Sequence, residues 1–567
     1  GIAKGSRTPD SAVRGRRLDH LTMATYAFDA SYIIMRKSDF VHYFLRISPY
    51  ACGLLKNNAT FDIMFGNNKS RSIGMTKYKS TRGSEIIKSG AQAIIAGLAE
   101  DKGLYVPDQV PVLSFDMTSQ PIRKYKEVAY DVIKSFFDDY TQEEIQKCID
   151  GAYDEKFEAP DVVSLVKGGD AVFLELYHGR TAAFKDMALS ILPYLLTTAM
   201  KKEKEDNKIC ILTATSGDTG KAALEGFADV PGTEIIVFFP NQGVSLVQER
   251  QMTTQEGDNT HVFAIRGNFD DAQTGVKTIF NDSEFAKKLL ILKCKLSSAN
   301  SINIGRLVPQ VAYYVYGYMK MIELGEVKPG QPVNIVVPTG NFGNILAAYY
   351  AREMGIPVNK FICASNENKV LTDFIRTGNY DIRRDFYLTN SPSMDILISS
   401  NLERLLYHLA GNDGTVVNEL MESLDKNKNY TVSDKIRNGL KDFYGGFCTI
   451  EDTQKAIGEM YKNNGYLMDT HTAVAYKVYE DYKKETGDIT PALIASTASP
   501  YKFADSVAAA LGLPEEADGF AYIEAINKLT GVPIPSGLKG LDQKEVRHNN
   551  VLDINEMKDA VENSLLE

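Results

Sequence analysis

From about residue 170 the chain repeats one pattern: a short continuous apolar run, a polar turn rich in Gly, Ser or Thr, then apolar positions spaced three and four apart. The runs 208–214, 234–239, 262–266, 333–337, 361–364 and 492–495 read as buried strands. Helical spacing follows most of them, at 221–227, 244–253, 272–280 and 345–354. This alternation predicts an α/β fold whose sheet is mostly parallel and covered on both faces. Ahead of it, apolar spacing predicts helices over 84–99, 122–137 and 142–150. A further apolar helix is expected through Met187, Leu189, Leu192 and Leu196, and residues 370–485 read as a mostly helical insertion or cap.

Residues 1–74 differ. They hold 11 Lys+Arg against 5 Asp+Glu in a chain whose net charge is −10, begin with Gly1 and show no sustained period. The expectation is a leader outside the fold, disordered or reflecting a mis-assigned start, with Met75 as a natural start; an Arg-rich organellar targeting segment is the alternative. The domain reading is then a leader at 1–74, a mostly helical region at 75–170, and a catalytic α/β region at 171–567 in two lobes.

Composition narrows the function. With 44% hydrophobic and 24% charged residues, the chain has the balance of a soluble globular protein. The acidic net charge argues against a dedicated nucleic-acid binder. No apolar run approaches the ~20 residues that span a bilayer. Six cysteines, at 52, 148, 210, 294, 363 and 448, form no CxxC pair, which favours free thiols in a reducing, cytoplasmic setting. Seven histidines include no HExxH spacing, and no metal site is expected.

Four turns carry candidate chemistry. In the first, HGRTAAFKD (178–186), Lys185 stands between an aromatic and a carboxylate where a turn enters an apolar helix. Lysine forms Schiff bases, and desolvation lowers its pKa toward a usable nucleophile; taken alone, a helix-start lysine is the plainer alternative. The second, TSGDTGKAA (215–223), offers backbone N–H groups and hydroxyls that suit a carboxylate or phosphate. It is not a P-loop, because Thr215 stands where the first glycine belongs and Ala222 where Ser or Thr must follow the lysine. The third, TGNFGN (339–344), is a glycine-rich strand-to-helix turn suited to an anion. The fourth, STASPYK (496–502), puts a small hydroxyl at a strand end, where it can meet a ring nitrogen or cap the next helix. Lysine, phosphate cradle and hydroxyl together match the needs of pyridoxal 5'-phosphate.

The chain resembles the threonine synthases, fold type II pyridoxal-phosphate enzymes. The resemblance runs from about residue 75 to the end, through the four turns above and also GVSLVQERQMTTQEGDN (243–259), GNFDDAQ (267–273), ANSINIGRLVPQ (299–310), NSPSMDILISSNLERLL (390–406) and HTAVA (471–475). It implies a tryptophan synthase β-like fold, with two open, twisted, mostly parallel sheets flanked by helices. It implies that Lys185 is the Schiff-base lysine and later the proton carrier. Gly340, Asn341, Phe342, Gly343 and Asn344 would bind the cofactor phosphate, and Thr497 would face the pyridine nitrogen. Ser216, Gly217, Asp218 and Thr219 would hold the substrate carboxylate. Lys221, Asn303 and Arg306 are candidates near the substrate phosphate. Two departures stand out, Arg180 where family members often have proline and Ser499 where they have histidine. The implied reaction converts O-phospho-L-homoserine and water to L-threonine and phosphate, in a monomer or homodimer. A threonine dehydratase or phospho-lyase of the same fold is the alternative.

Overall fold

Two sheets organise the chain. The computed structural model describes residues 75–567 except 119–121, 243 and 567. The leader expected at 1–74 lies outside the described residues. A five-stranded sheet runs in the order Val551–Leu552, Thr260–Ile265, Thr233–Pro240, Lys208–Ala214, Cys294–Ser297, with every pairing parallel. A six-stranded sheet runs Phe443–Phe447, Val358–Ser365, Val333–Pro338, Ala492–Ser496, Ala171–Glu175, Ser164–Gly168. It is parallel except where Ser164–Gly168 pairs antiparallel with Ala171–Glu175. The segment 370–485 is built mostly of helices, but it also supplies the edge strand Phe443–Phe447.

The central strands are buried along almost their whole length, which is why they read as continuous apolar runs and not as alternation. Helix Ile304–Glu323 exposes only parts of Lys320, Ile322 and Glu323 and is otherwise buried, the mark of a helix enclosed on all sides. Its tyrosines 313, 314, 316 and 318 are core residues.

Two expected helices are corrected. The helix expected from 84 begins at Gly90, because Ser89 and Gln92 form a capping box there and Ile86 and Ile87 stay exposed. The helix expected through 187–196 is broken into Asp186–Leu189 and Leu192–Glu203. Pro193 lacks the N–H that would continue the first turn, and it is tolerated only in the opening turn of the second.

This topology delivers all four turns to the carboxyl ends of parallel strands, where open α/β sheets bind ligands. The turn at 215–220 leaves Lys208–Ala214 in the smaller sheet; the other three leave strands of the larger one.

Candidate active site

Lys185 is held by its neighbours in space, not in sequence. Phe184 N–H donates to Thr497 O at 2.8 Å, and Ser499 N–H donates to Ala182 O at 3.0 Å, so the lysine turn is stitched to the end of strand Ala492–Ser496. Thr497 thereby comes beside the lysine segment, itself 5% exposed. Ala182 adopts a left-handed φ of 56°, a strained conformation that the stitching maintains. Lys185 is buried, and its Nζ donates to Asp218 Oδ2 at 3.3 Å and to Ser393 Oγ at 3.2 Å. Burial pushes its ammonium below the usual lysine range; Asp218 pulls it back, and Arg306 and Lys502 push it down again.

The glycine turn presents donors because its acceptors are tied elsewhere. Gly340 O accepts from Ser399 Oγ at 2.8 Å, and Asn341 O accepts from both the N–H and Nδ2 of Asn401 at 3.0 Å. Among the described residues, the N–H groups of 340–344 meet no protein acceptor. Phe342 sits at φ 63°, turning the chain into helix Gly343–Glu353. Tyr313 donates to Asn344 Oδ1 at 2.8 Å and Tyr314 donates to the same atom, which fixes the amide with Nδ2 buried and unpartnered. A Cβ at Gly340 would lie 2.5 Å from Ser393 O. An orphaned amide, open N–H groups and a buried lysine suit a phosphate-bearing aldehyde, so this chain's residues fit pyridoxal phosphate.

In the second turn, Thr215 Oγ1 accepts from Gly217 N–H at 3.0 Å and Gly220 N–H at 2.9 Å. Among the described residues, the N–H groups of Ser216, Asp218 and Thr219 meet no acceptor, while that of Gly217 is committed to shaping the turn. Gly217 has φ 129°, and a Cβ there would lie 2.6 Å from the Gln248 side chain. Asp218 bridges cations: Oδ1 takes Lys502 Nζ and Gln248 Nε2, each at 2.8 Å, while Oδ2 faces Lys185. Burial alone would raise its pKa, but the two lysines outweigh burial and hold it well below the carboxylate range.

The three phosphate candidates separate. Arg306 is 4% exposed, donates to Ala299 O at 2.7 Å, and has no carboxylate partner among the described residues. Burial draws its guanidinium down to about 10. Asn303 caps helix Ile304–Glu323, accepting from Gly305 N–H at 2.9 Å and donating to Ile94 O at 3.0 Å. Lys221 is committed to Glu225 at 3.0 Å and to Gln255. Among the described residues, Arg306 is the one of the three that carries a charge with no side-chain partner, whereas Lys221 is already neutralised by Glu225. Arg180 faces the surface and pairs with Glu225 at 3.2 Å.

Sequence reading passed over Lys502, Ser393 and Asp469 and left His471 as a core histidine. Lys502 is fully buried and donates to Thr181 O at 2.9 Å and Gln251 Oε1 at 3.0 Å as well as to Asp218. A lysine inside the apolar stretch Pro500–Phe503 was the one visible signal.

Three family models match the chain: the threonine synthase N terminus over 77–153, the pyridoxal-phosphate dependent enzyme family over 164–495, and the threonine synthase C-terminal family over 472–561. The chain is 40% identical over 438 residues to threonine synthase-like 1 of Homo sapiens, a match covering 75% of this chain and 58% of that relative's length. It is 37% identical to threonine synthase of Pseudomonas aeruginosa, covering 76% of this chain and 89% of that one. The crystal structure of PLP-bound threonine synthase from Brucella melitensis superposes with a TM-score of 0.76 at 36% identity, covering 87% of this chain and all (100%) of that one.

Proposed function

Because the chain belongs to the threonine synthase family of pyridoxal-phosphate-dependent enzymes, we propose that it converts O-phospho-L-homoserine and water to L-threonine and phosphate, the last step of threonine biosynthesis. Pyridoxal 5'-phosphate, when bound, supplies an electron sink for charge that develops on substrate carbons near the amino group. Lys185 would hold its aldehyde, residues 340–344 its phosphate, and Thr497 would face its ring nitrogen. Thr497 is a neutral hydroxyl and brings no charge to that nitrogen.

The chain's own groups then divide the work. The open N–H groups of Ser216, Asp218 and Thr219 hold the substrate carboxylate at the start of helix Asp218–Phe227. Lys185, its pKa lowered by burial, moves protons at Nζ. Arg306 holds the substrate phosphate in the ground state and as it leaves. The two sheets act as lobes that meet at Lys185 and Asp218, where both side chains are buried and access of bulk water to the site is limited. The thiols of the five described cysteines are free and buried, which suits a cytoplasmic enzyme, acting as a monomer or homodimer.

The observation that carries this reading is Arg306. A buried cation with no carboxylate partner among the described residues, close enough to lower the Lys185 pKa, suits a substrate that brings its own dianion. A dehydratase acting on a neutral hydroxyl has no use for it. Incubation of the protein, loaded with cofactor, with O-phospho-L-homoserine tests the reading. Threonine and phosphate in equal amounts are expected; 2-oxobutyrate in place of threonine would move the function to a lyase.

A further inference from the structure

Ser393 reaches the reacting lysine from a loop 208 residues further along the chain. Its hydroxyl lies 3.2 Å from Lys185 Nζ and 3.3 Å from Asp218 Oδ2, so the three atoms form a closed triangle. With sides so nearly equal, Ser393 Oγ and Asp218 Oδ2 lie close together on one side of Nζ, and together they hold the amine from that side.

The loop bearing Ser393 is anchored at two points. Asp395 accepts from Asn366 Nδ2 at 2.7 Å and Thr389 N–H at 3.0 Å, which ties the loop to the end of strand Val358–Ser365. His471 accepts the Ser393 backbone N–H at Nε2, at 3.2 Å. A backbone N–H can only donate, so Nε2 is unprotonated and the ring proton sits on Nδ1. There it faces Asp469 Oδ1 at 3.1 Å. Asp469 is fully buried and fixed as the cap of helix Thr470–Thr486. Asp469 therefore sets the tautomer of His471, and His471 sets the place of Ser393.

We propose that Ser393 is a catalytic residue that aims the Lys185 amine, and that His471 is the residue that positions it. The proposal rests on the reading of Lys185 as the cofactor lysine. With Ser393 in place, Nζ is held by two acceptors; without that hydroxyl the amine keeps Asp218 alone, is less fixed and meets an incoming carbonyl in the reacting pose less often. In the capture step Nζ adds to the aldehyde carbon, the C=O bond is replaced by C=N, and the oxygen leaves as water with both amine protons.

The test follows covalent capture of pyridoxal 5'-phosphate by the cofactor-free protein through its absorbance, alongside equilibrium binding of pyridoxine 5'-phosphate, which has no aldehyde. Ser393→Ala is expected to slow capture about tenfold while pyridoxine 5'-phosphate binds as in the parent. His471→Leu is expected to share that defect. His471→Gln, whose side-chain oxygen can still accept the Ser393 N–H, is expected to recover most of the rate. Capture by Ser393→Ala within twofold of the parent would overturn the proposal, as would equal loss in the Gln and Leu variants. If His471→Leu does not fold, Ser393→Ala decides alone. Failure of the parent protein to capture the aldehyde would instead remove the reading of Lys185 itself.

Discussion

Lys185 Nζ and Asp218 Oδ2 lie 3.3 Å apart, one on a turn of the six-stranded sheet and the other on a turn of the five-stranded sheet. Their charges are linked across the two sheets. Burial lowers the Lys185 pKa, and Asp218 is the group that raises it. Asp218→Asn removes the raising contribution, so the lysine becomes neutral at lower pH. The pH midpoint for reductive methylation at Lys185, read by mass spectrometry of its peptide in cofactor-free protein, is expected to move down. A midpoint that stays or rises would contradict this electrostatic account.

Lys502 is a second buried cation on the same carboxylate. Lys502→Met leaves Asp218 with one charged partner fewer and leaves Thr181 O and Gln251 Oε1 without their donor. Breaking a buried pair from one side costs about 3–5 kcal/mol. Denaturant unfolding is expected to register a loss of that order, whereas a change under about 1 kcal/mol would place Lys502 outside the framework of the site.

Gly340 is fixed by backbone, not by a movable side chain. The Cβ of Gly340→Ala would lie 2.5 Å from Ser393 O, so the Ser393 loop or the glycine turn must shift. Equilibrium dialysis is expected to show weakened binding of pyridoxal 5'-phosphate, with far-UV circular dichroism unchanged. Binding equal to the parent's would mean that residues 340–344 do not cradle the cofactor.

Much of the α/β core was legible in the sequence, because strands buried on both faces advertise themselves as apolar runs; Lys208–Ala214 was read residue for residue. The edge strands were not. Cys294–Ser297 alternates over only four residues, too few to stand out, and Phe443–Phe447 carries paired glycines that weaken a strand signal. The site was partly legible for a related reason. Lys185, Asp218 and Gly340 stand in turns with local signatures, but Lys502 meets Thr181 across 321 positions and Ser393 meets Lys185 across 208. Hydrogen bonds between such distant segments leave no periodicity to read. Asn303 and Lys221 illustrate the converse, since polar residues in family-like segments turn out to cap a helix or pair on its flank.

Arg306 is the proposed ligand of the substrate phosphate. Arg306→Met removes the charge while keeping an unbranched side chain, and loss of a charged hydrogen bond costs about 2 kcal/mol, or ~30-fold. Steady-state kinetics are expected to show at least that fall in kcat/KM for O-phospho-L-homoserine, and inorganic phosphate should lose its power to inhibit. Arg306→Lys is expected to recover only part, because an ammonium cannot reproduce the planar fork of donors. Unchanged phosphate inhibition in the methionine variant would send the search for the phosphate ligand elsewhere.

In the proposed reaction phosphate leaves with its bridging oxygen, and water then supplies the hydroxyl of threonine. Turnover in oxygen-18-labelled water, with mass spectrometry of both products, tests it most directly. One label in each threonine and none in the released phosphate is the predicted result. Label in the phosphate with homoserine as co-product would reveal simple ester hydrolysis and contradict the account.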